Sequence, residues 1–191
     1  RQTAYIDQML ERSSMKDCKP VTTPAEGELP RLAKGEGTSN KLFMQMVGSL
    51  IYSAVTTRID TAFPVQVLGR NMQSSGPQHI NAAKRVLKYL KGTREIGIKY
   101  SGNASQGIKL VAYSDSDWAG DKDTGRSTTG YVLTLAGGCV SWQSRLQKTV
   151  AKSSTEAEYM AASAAASDVI YMRRLLKDLG FEQSEPTVCH L

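Results

Sequence analysis

Gly130-Tyr131-Val132-Leu133-Thr134-Leu135, Gly137-Gly138, Val140-Ser141-Trp142-Gln143 and then Ser153-Ser154-Thr155-Glu156-Ala157-Glu158 decide the fold class of this chain. The first and third pieces are short, rich in β-branched and aromatic residues, and separated by a glycine pair, which predicts two strands joined by a tight turn. The last piece holds two overlapping capping boxes, Ser153 with Glu156 and Thr155 with Glu158, ahead of an Ala-rich run to about Ser167, so a helix must follow the hairpin. Ile170 to Leu179 continues helical and stops at Gly180, and Pro186 to Leu191 reads as the start of a buried strand. Upstream, Ile96 to Tyr100 and Lys109 to Tyr113 read as two more strands joined by the polar turn Ser101 to Gly107. Strands, then helices, then a strand define a mixed α/β (α+β) domain over residues 96–191.

The first half follows a different period. Tyr5, Ile6, Met9 and Leu10 recur at helical spacing, predicting a helix over Thr3 to Arg12. Asp17 to Ser39 carries Pro20, Pro24 and Pro30 with almost no periodic apolar residues and reads as an extended linker. Ser39 or Asn40 caps a predicted helix from Lys41 to about Thr57, with Phe43, Val47, Leu50, Ile51 and Ala54 on one face. Asp60 or Thr61 starts another, to about Met72, with Pro64 in its tolerated first turn. From Pro77 to Lys91, Ile80, Ala83, Val86, Leu87 and Leu90 form an apolar stripe, while Lys84, Arg85, Lys88 and Lys91 form a basic one. Three segments follow: 1–40 with the linker, 41–95 helical, and 96–191 mixed.

Charge separates the same halves. Of the 191 residues, Arg1 to Ala104 hold 15 basic and 8 acidic side chains, net +7, and Ser105 to Leu191 hold 9 basic and 10 acidic, net −1. A basic half beside a slightly acidic one fits a polyanion-binding surface next to carboxylate chemistry. Hydrophobic residues at 40% and charged residues at 22% are ordinary globular values and exclude a wholly disordered chain. No stretch approaches the roughly 20 apolar residues of a membrane span, since Phe43 to Val55 is broken by Gln45, Gly48, Ser49 and Ser53. Cys18, Cys139 and Cys189 make neither a CxxC pair nor a disulfide framework, and are expected to be buried thiols in a reducing, intracellular compartment. The sequon Asn103-Ala104-Ser105 is expected to be a turn. Gly137-Gly138 lacks the GxGxxG context of a dinucleotide site. The chain opens on Arg1 with no apolar leader, and without an initiator Met it is expected to be a piece of a longer protein.

The chemistry-bearing residues are acidic. Asp115 lies just past the strand Lys109 to Tyr113, and Glu158 in the first turn of the next long helix. Two carboxylates from different elements suit Mg²⁺, which takes oxygen ligands and usually one or two from the protein. Such an arrangement activates water for phosphodiester cleavage. Asp117, Asp121 and Glu156 compete for the same roles, with Asp117 as a turn residue and Glu156 as a cap the plainer readings. Trp118 and Trp142 are expected in the core.

Longer blocks then match a known family. Ser141-Trp142-Gln143-Ser144 through Gln147-Lys148-Thr149-Val150-Ala151, with Ser153-Ser154-Thr155-Glu156-Ala157-Glu158-Tyr159-Met160-Ala161, closely resembles the ribonuclease H region of Ty1/copia-type retrotransposon Pol polyproteins. Tyr113-Ser114-Asp115-Ser116-Asp117-Trp118-Ala119-Gly120-Asp121 and Arg126-Ser127-Thr128-Thr129-Gly130-Tyr131 resemble its first catalytic strand and the hairpin after it. Val47 to Tyr52, Thr57-Arg58-Ile59-Asp60 and Ala83 to Thr93 resemble the segment between the reverse transcriptase palm and ribonuclease H, and Tyr5 to Leu10 with Asp17 to Val21 the polymerase tail.

The resemblance implies a helical thumb or connection segment followed by a ribonuclease H-like mixed sheet of three to five strands with helices, C-terminally truncated. It implies hydrolysis of the RNA strand of an RNA/DNA hybrid, with Asp115 and Glu158 as catalytic Mg²⁺ ligands and Mn²⁺ as a possible substitute. The family's third aspartate is expected beyond Leu191, so the chain as it stands is expected to be inactive or nearly so as a nuclease. Lys84, Arg85, Lys88 and Lys91 are expected to contact phosphates of the hybrid or template-primer duplex, and Ser127, Lys148, Ser153 and Ser154 the hybrid backbone or its 2′-hydroxyls. The expected partners are that duplex and the remainder of the Pol polyprotein, without a membrane, in a cytoplasmic particle or the nucleus. A non-catalytic binding or structural remnant of a decayed element is the alternative.

Overall fold

Apolar stripes at helical spacing need partners, and in the first half they find one another. The computed structural model describes residues 1–27, 37–101 and 108–191, which form two compact units, Arg1–Gly97 and Ile98–Leu191. In the first, helices α1 (Thr3–Arg12), α2 (Lys41–Thr56), α3 (Ala62–Arg70) and α4 (Pro77–Gly92) share one core. Ile6, Met9 and Leu10 of α1 pack with Phe43, Val47 and Leu50 of α2, Val65 and Leu68 of α3, and Val86, Leu87 and Leu90 of α4. The segment 1–40 thus contributes α1 to the same core as 41–95. Asn40 caps α2 by accepting the Phe43 N–H at 3.0 Å, satisfying one of the orphan donors of the first turn. The helix expected to reach Met72 is shorter, because a 3-10 turn over Ile59–Thr61 takes up its start and the chain leaves the helix after Arg70.

That turn is held by a buried ion pair. The side chain of Arg58 is fully buried; its Nε donates to Asp60 Oδ1 at 3.0 Å and its terminal nitrogens to Asp60 Oδ2 at 2.6 Å and to the Thr93 carbonyl and hydroxyl. Tyr89 donates to Asp60 Oδ2 at 2.7 Å and lies under the guanidinium. The network fastens the end of α4 to the loop after α2.

In the second unit, β1 (Val111–Asp121), β2 (Arg126–Leu135), β3 (Gly138–Leu146) and β4 (Cys189–His190) form a sheet in the order β3-β2-β1-β4. The first three run antiparallel and β4 is parallel to β1. Helix α5 (Ser154–Asp178) makes the crossover from β3 to β4 and covers one face of the sheet. It sits close because Ala157, Ala161 and Ala165, four residues apart, are fully buried beneath it. Leu110, Ala112, Leu133 and Leu176 complete this core. Mixed sheet and covering helix are a ribonuclease H-like α/β arrangement.

Several expectations are corrected here. Ile96 to Tyr100 is not a strand. Its end is held by the β2–β3 turn instead: Ser101 N–H donates to the Ala136 carbonyl, Tyr100 O–H to the Cys139 carbonyl, and the Tyr100 ring lies where a Cβ on Gly138 would stand. The helical stretch expected from Ser153 through Leu179 is one continuous helix, within which the Ser167 hydroxyl bonds back to the Ser163 carbonyl. The strand expected from Pro186 is confined to Cys189–His190 and is exposed. Trp118 is 56% exposed, its indole N–H reaching the Ala151 carbonyl, so it is no core residue; Trp142 is half-buried. Cys189 is exposed, whereas Cys18 and Cys139 are half-buried. The sequon Asn103-Ala104-Ser105 lies outside the described residues. No helix among the described residues is long and apolar enough to cross a membrane.

Candidate metal and nucleic-acid site

Asp115 is in the middle of β1 rather than past its end, opposite Gly130 of β2. The polar residues from Ser114 onward stay in the strand because β2 pairs with them as far as Asp117, after which a bulge intervenes before Asp121. Alternation sends Ala112 and Ser114 to the buried side and Tyr113, Asp115 and Asp117 to the exposed side. β4 runs alongside, with His190 level with Tyr113 and the two rings stacked at 4.9 Å. Glu158 is half-buried and lies at the start of the second turn of α5, not the first, because the helix begins at Ser154. Ser153 is the cap: its Oγ accepts the Glu156 N–H at 3.1 Å, and Glu156 Oε2 in turn accepts the Lys152 N–H at 2.6 Å. The second capping box, Thr155 with Glu158, is not the one that starts the helix.

The competing carboxylates are all committed. Asp117 Oδ1 accepts the Thr128 N–H across the hairpin, and the carboxylate folds so closely over Gly120 that a Cβ there would fall 1.9 Å from its Oδ2. Asp121 accepts the Asp123 N–H and the Thr124 hydroxyl inside the β1–β2 turn. Glu156 is spent on the helix cap. Asp115 and Glu158 hold no hydrogen bond or ion pair among the described residues, so their oxygens are available to a ligand. Their donor chemistry suits one hydrated Mg²⁺. Among the described residues no three His, Cys, Asp or Glu side chains gather to hold a metal, which falls short of what a two-metal centre uses.

The basic residues divide. Arg85 donates to Thr23 Oγ1 at 2.9 Å and pairs with Glu26 at 2.7 Å, and Lys91 Nζ donates to the Lys16 and Cys18 carbonyls. The linker before residue 28 thus lies along the basic side of α4 and occupies these two cations. Lys84 is exposed and Lys88 half-exposed. In the second unit Lys148, Ser153 and Ser154 are exposed. Ser127 is fully buried and its Oγ accepts the Ala119 N–H at 3.1 Å, so its expected contact with a hybrid is corrected: it holds the β1 bulge. Gln147, which sequence reasoning passed over, bonds both β2 and α5; its place just before the capped helix was the available signal.

The class defined by this fold is a ribonuclease H-like α/β unit preceded by a helical unit. Known proteins then place the whole chain. It is 43% identical, over 98% of its length, to the retrovirus-related Pol polyprotein from transposon TNT 1-94 of Nicotiana tabacum, and 41% identical, over 99%, to that from transposon RE1 of Arabidopsis thaliana. It spans 14% and 13% of those two polyproteins. It is also 46% identical over 133 residues, 70% of this chain, to the secreted RxLR effector protein 161 of Plasmopara viticola, of which it covers 92%. No protein-family model and no solved structure matches it. Over nearly its whole length the chain is thus similar to one segment of the retrovirus-related Pol polyproteins of transposons.

Proposed function

We propose that residues 98–191 are the hybrid-binding, ribonuclease H part of a retrotransposon Pol, and that the helical unit derives from the end of its reverse transcriptase. The observation that carries this is the division among five carboxylates: Asp117, Asp121 and Glu156 are tied to local donors, while Asp115 on the central strand and Glu158 on the crossover helix are left available. These two would hold Mg²⁺, with Mn²⁺ able to replace it, and a bound ion supplies charge neutralisation at the phosphodiester and an acidified water. The chain's own work is positioning. Lys84, Lys88, Lys148, Ser153 and Ser154 contact the hybrid backbone, and Arg85 and Lys91 join them only when the linker leaves. The rest of the Pol polyprotein is the covalent partner, in a cytoplasmic particle or the nucleus.

The test is binding of a fluorescent RNA/DNA hybrid across a salt series. Exchanging Lys84 and Lys88 for Gln should lower the slope of log affinity against log salt by about 2, close to 0.9 for each phosphate no longer neutralised; an unchanged slope refutes a role for these lysines at the backbone. In the longer Pol polypeptide, Asp115→Asn should abolish Mg²⁺-dependent cleavage of the RNA strand, and equal activity refutes the metal assignment. A second reading, a non-catalytic binding or structural remnant, is favoured by the lack of a third metal-binding side chain among the described residues and by the engagement of Arg85 and Lys91. Hybrid binding without cleavage by the longer polypeptide selects it.

A further inference from the structure

Gln147 directly follows β3, where the chain turns toward α5, and only 6% of it is exposed. Its backbone N–H donates to the Ser127 carbonyl at 2.8 Å. Its side-chain nitrogen donates twice, to Thr129 Oγ1 at 3.1 Å and to the Ala157 carbonyl at 3.0 Å. Because a carbonyl only accepts, the end of the amide facing Ala157 is its NH2, and the orientation of the group is decided. The two anchors are informative. Thr129 sits opposite Ser116, the residue after Asp115, and Ala157 is the residue before Glu158. A single buried amide therefore joins the sheet at the level of one free carboxylate to the helical turn carrying the other.

Little else there is directional. The alanines under α5 pack in a way that does not resist sliding, and the Ser153–Glu156–Lys152 cap is internal to the helix start. Farther along α5, about three turns on, the Ser141 hydroxyl donates to Asp168. Without Gln147 the first turns of α5 keep the packing of their alanines and the contact of the Thr149 hydroxyl with Met160 Sδ. We propose that Gln147 is the positioning residue that fixes the helical turn carrying Glu158 at the strand level carrying Asp115, so that the two carboxylates can share one divalent cation. This rests on the reading of those two carboxylates as metal ligands; the bridge itself does not.

The experiment uses the full chain with Gln147→Met, which keeps the volume and removes both donated bonds, and Thr129→Val, which removes the β2 anchor alone. Amide hydrogen exchange reads the bridge, and Mn²⁺ alone, followed by electron paramagnetic resonance, reads the pair. In Gln147→Met, exchange at Glu158 to Ala161 should rise at least about tenfold while that around Leu176 stays unchanged. Mn²⁺ affinity should fall by about 10-fold, the low end of what loss of an outer-shell support costs at metal sites, because Gln147 acts through the backbone next to Glu158. Thr129→Val should move both readouts in the same direction by less. Unchanged exchange in the folded variants overturns the bridge, and faster exchange with unchanged Mn²⁺ affinity overturns the positioning role. If the wild-type chain binds Mn²⁺ no better than Asp115→Asn while exchange still responds, the metal reading fails and the bridge stands. Should Gln147→Met not fold, Thr129→Val decides by the same criteria.

Discussion

Replacing Asp60 with Asn removes the charge facing a guanidinium whose side chain is fully buried. In the native unit, burial pushes the Asp60 carboxyl up, but the hydrogen bonds from Arg58 and Tyr89 and the charge of Arg58 outweigh it and hold the group below its ordinary value. Breaking a buried pair costs about 3–5 kcal/mol. Two features place this case at the low end: Asp60 keeps 30% of its side chain exposed, and Arg58 retains both Thr93 oxygens. The expected loss is about 3 kcal/mol, which at a urea slope near 1.5 kcal/mol/M moves the midpoint down by about 2 M. Far-UV circular dichroism follows it, since four of the five described α-helices are in this unit. The pH dependence has a definite sign. A carboxyl depressed in the folded state stabilises above its unfolded pKa, about 3.9, and that stabilisation is lost as pH falls through the folded value. The gap between native and Asp60→Asn should therefore be full at pH 7 and close below about pH 4. A midpoint shift under about 0.3 M at neutral pH, or a gap that persists in acid, refutes the account.

Ala161→Leu should destabilise the second unit by about 1–3 kcal/mol, because the position is fully buried where α5 lies on the sheet; tryptophan fluorescence in urea measures it, as Trp118 and Trp142 are both in that unit. Ser153→Ala should cost about 1 kcal/mol by removing the cap that accepts the Glu156 N–H, read in the same assay. Thiol labelling at neutral pH should modify Cys189 before Cys139, since Cys189 is exposed and burial raises the pKa of the Cys139 thiol, which lowers its thiolate fraction.

Local patterns explain why so much was legible. The stripe Ala83, Val86, Leu87 and Leu90, the Asn40 and Ser153 caps and the hairpin around Gly137-Gly138 each involve residues a few positions apart, and each forms where the sequence places it. Ile96 to Tyr100 forms no strand because a strand needs a neighbour with a matching ladder, and the neighbours of β1 are already β2 and β4. The burial of Ser127 was hidden for a related reason: it depends on a bulge in a different strand. The linker lying on Arg85 and Lys91 was likewise invisible, since a run of basic residues says nothing about what folds back on it.

By itself, then, the sequence determined the capped helices, the β2–β3 hairpin and the acidic residues eligible for chemistry, because those depend on period, capping and residue type. Asp121 and Glu156 are engaged by donors within four residues of them, as local turn and cap chemistry allows. Tertiary structure decided the rest: Asp117 meets the Thr128 N–H across the hairpin, Asp115 and Glu158 meet no such donor among the described residues, and Gln147 bridges their two elements through bonds to residues 18 and 10 positions away that only folding makes neighbours.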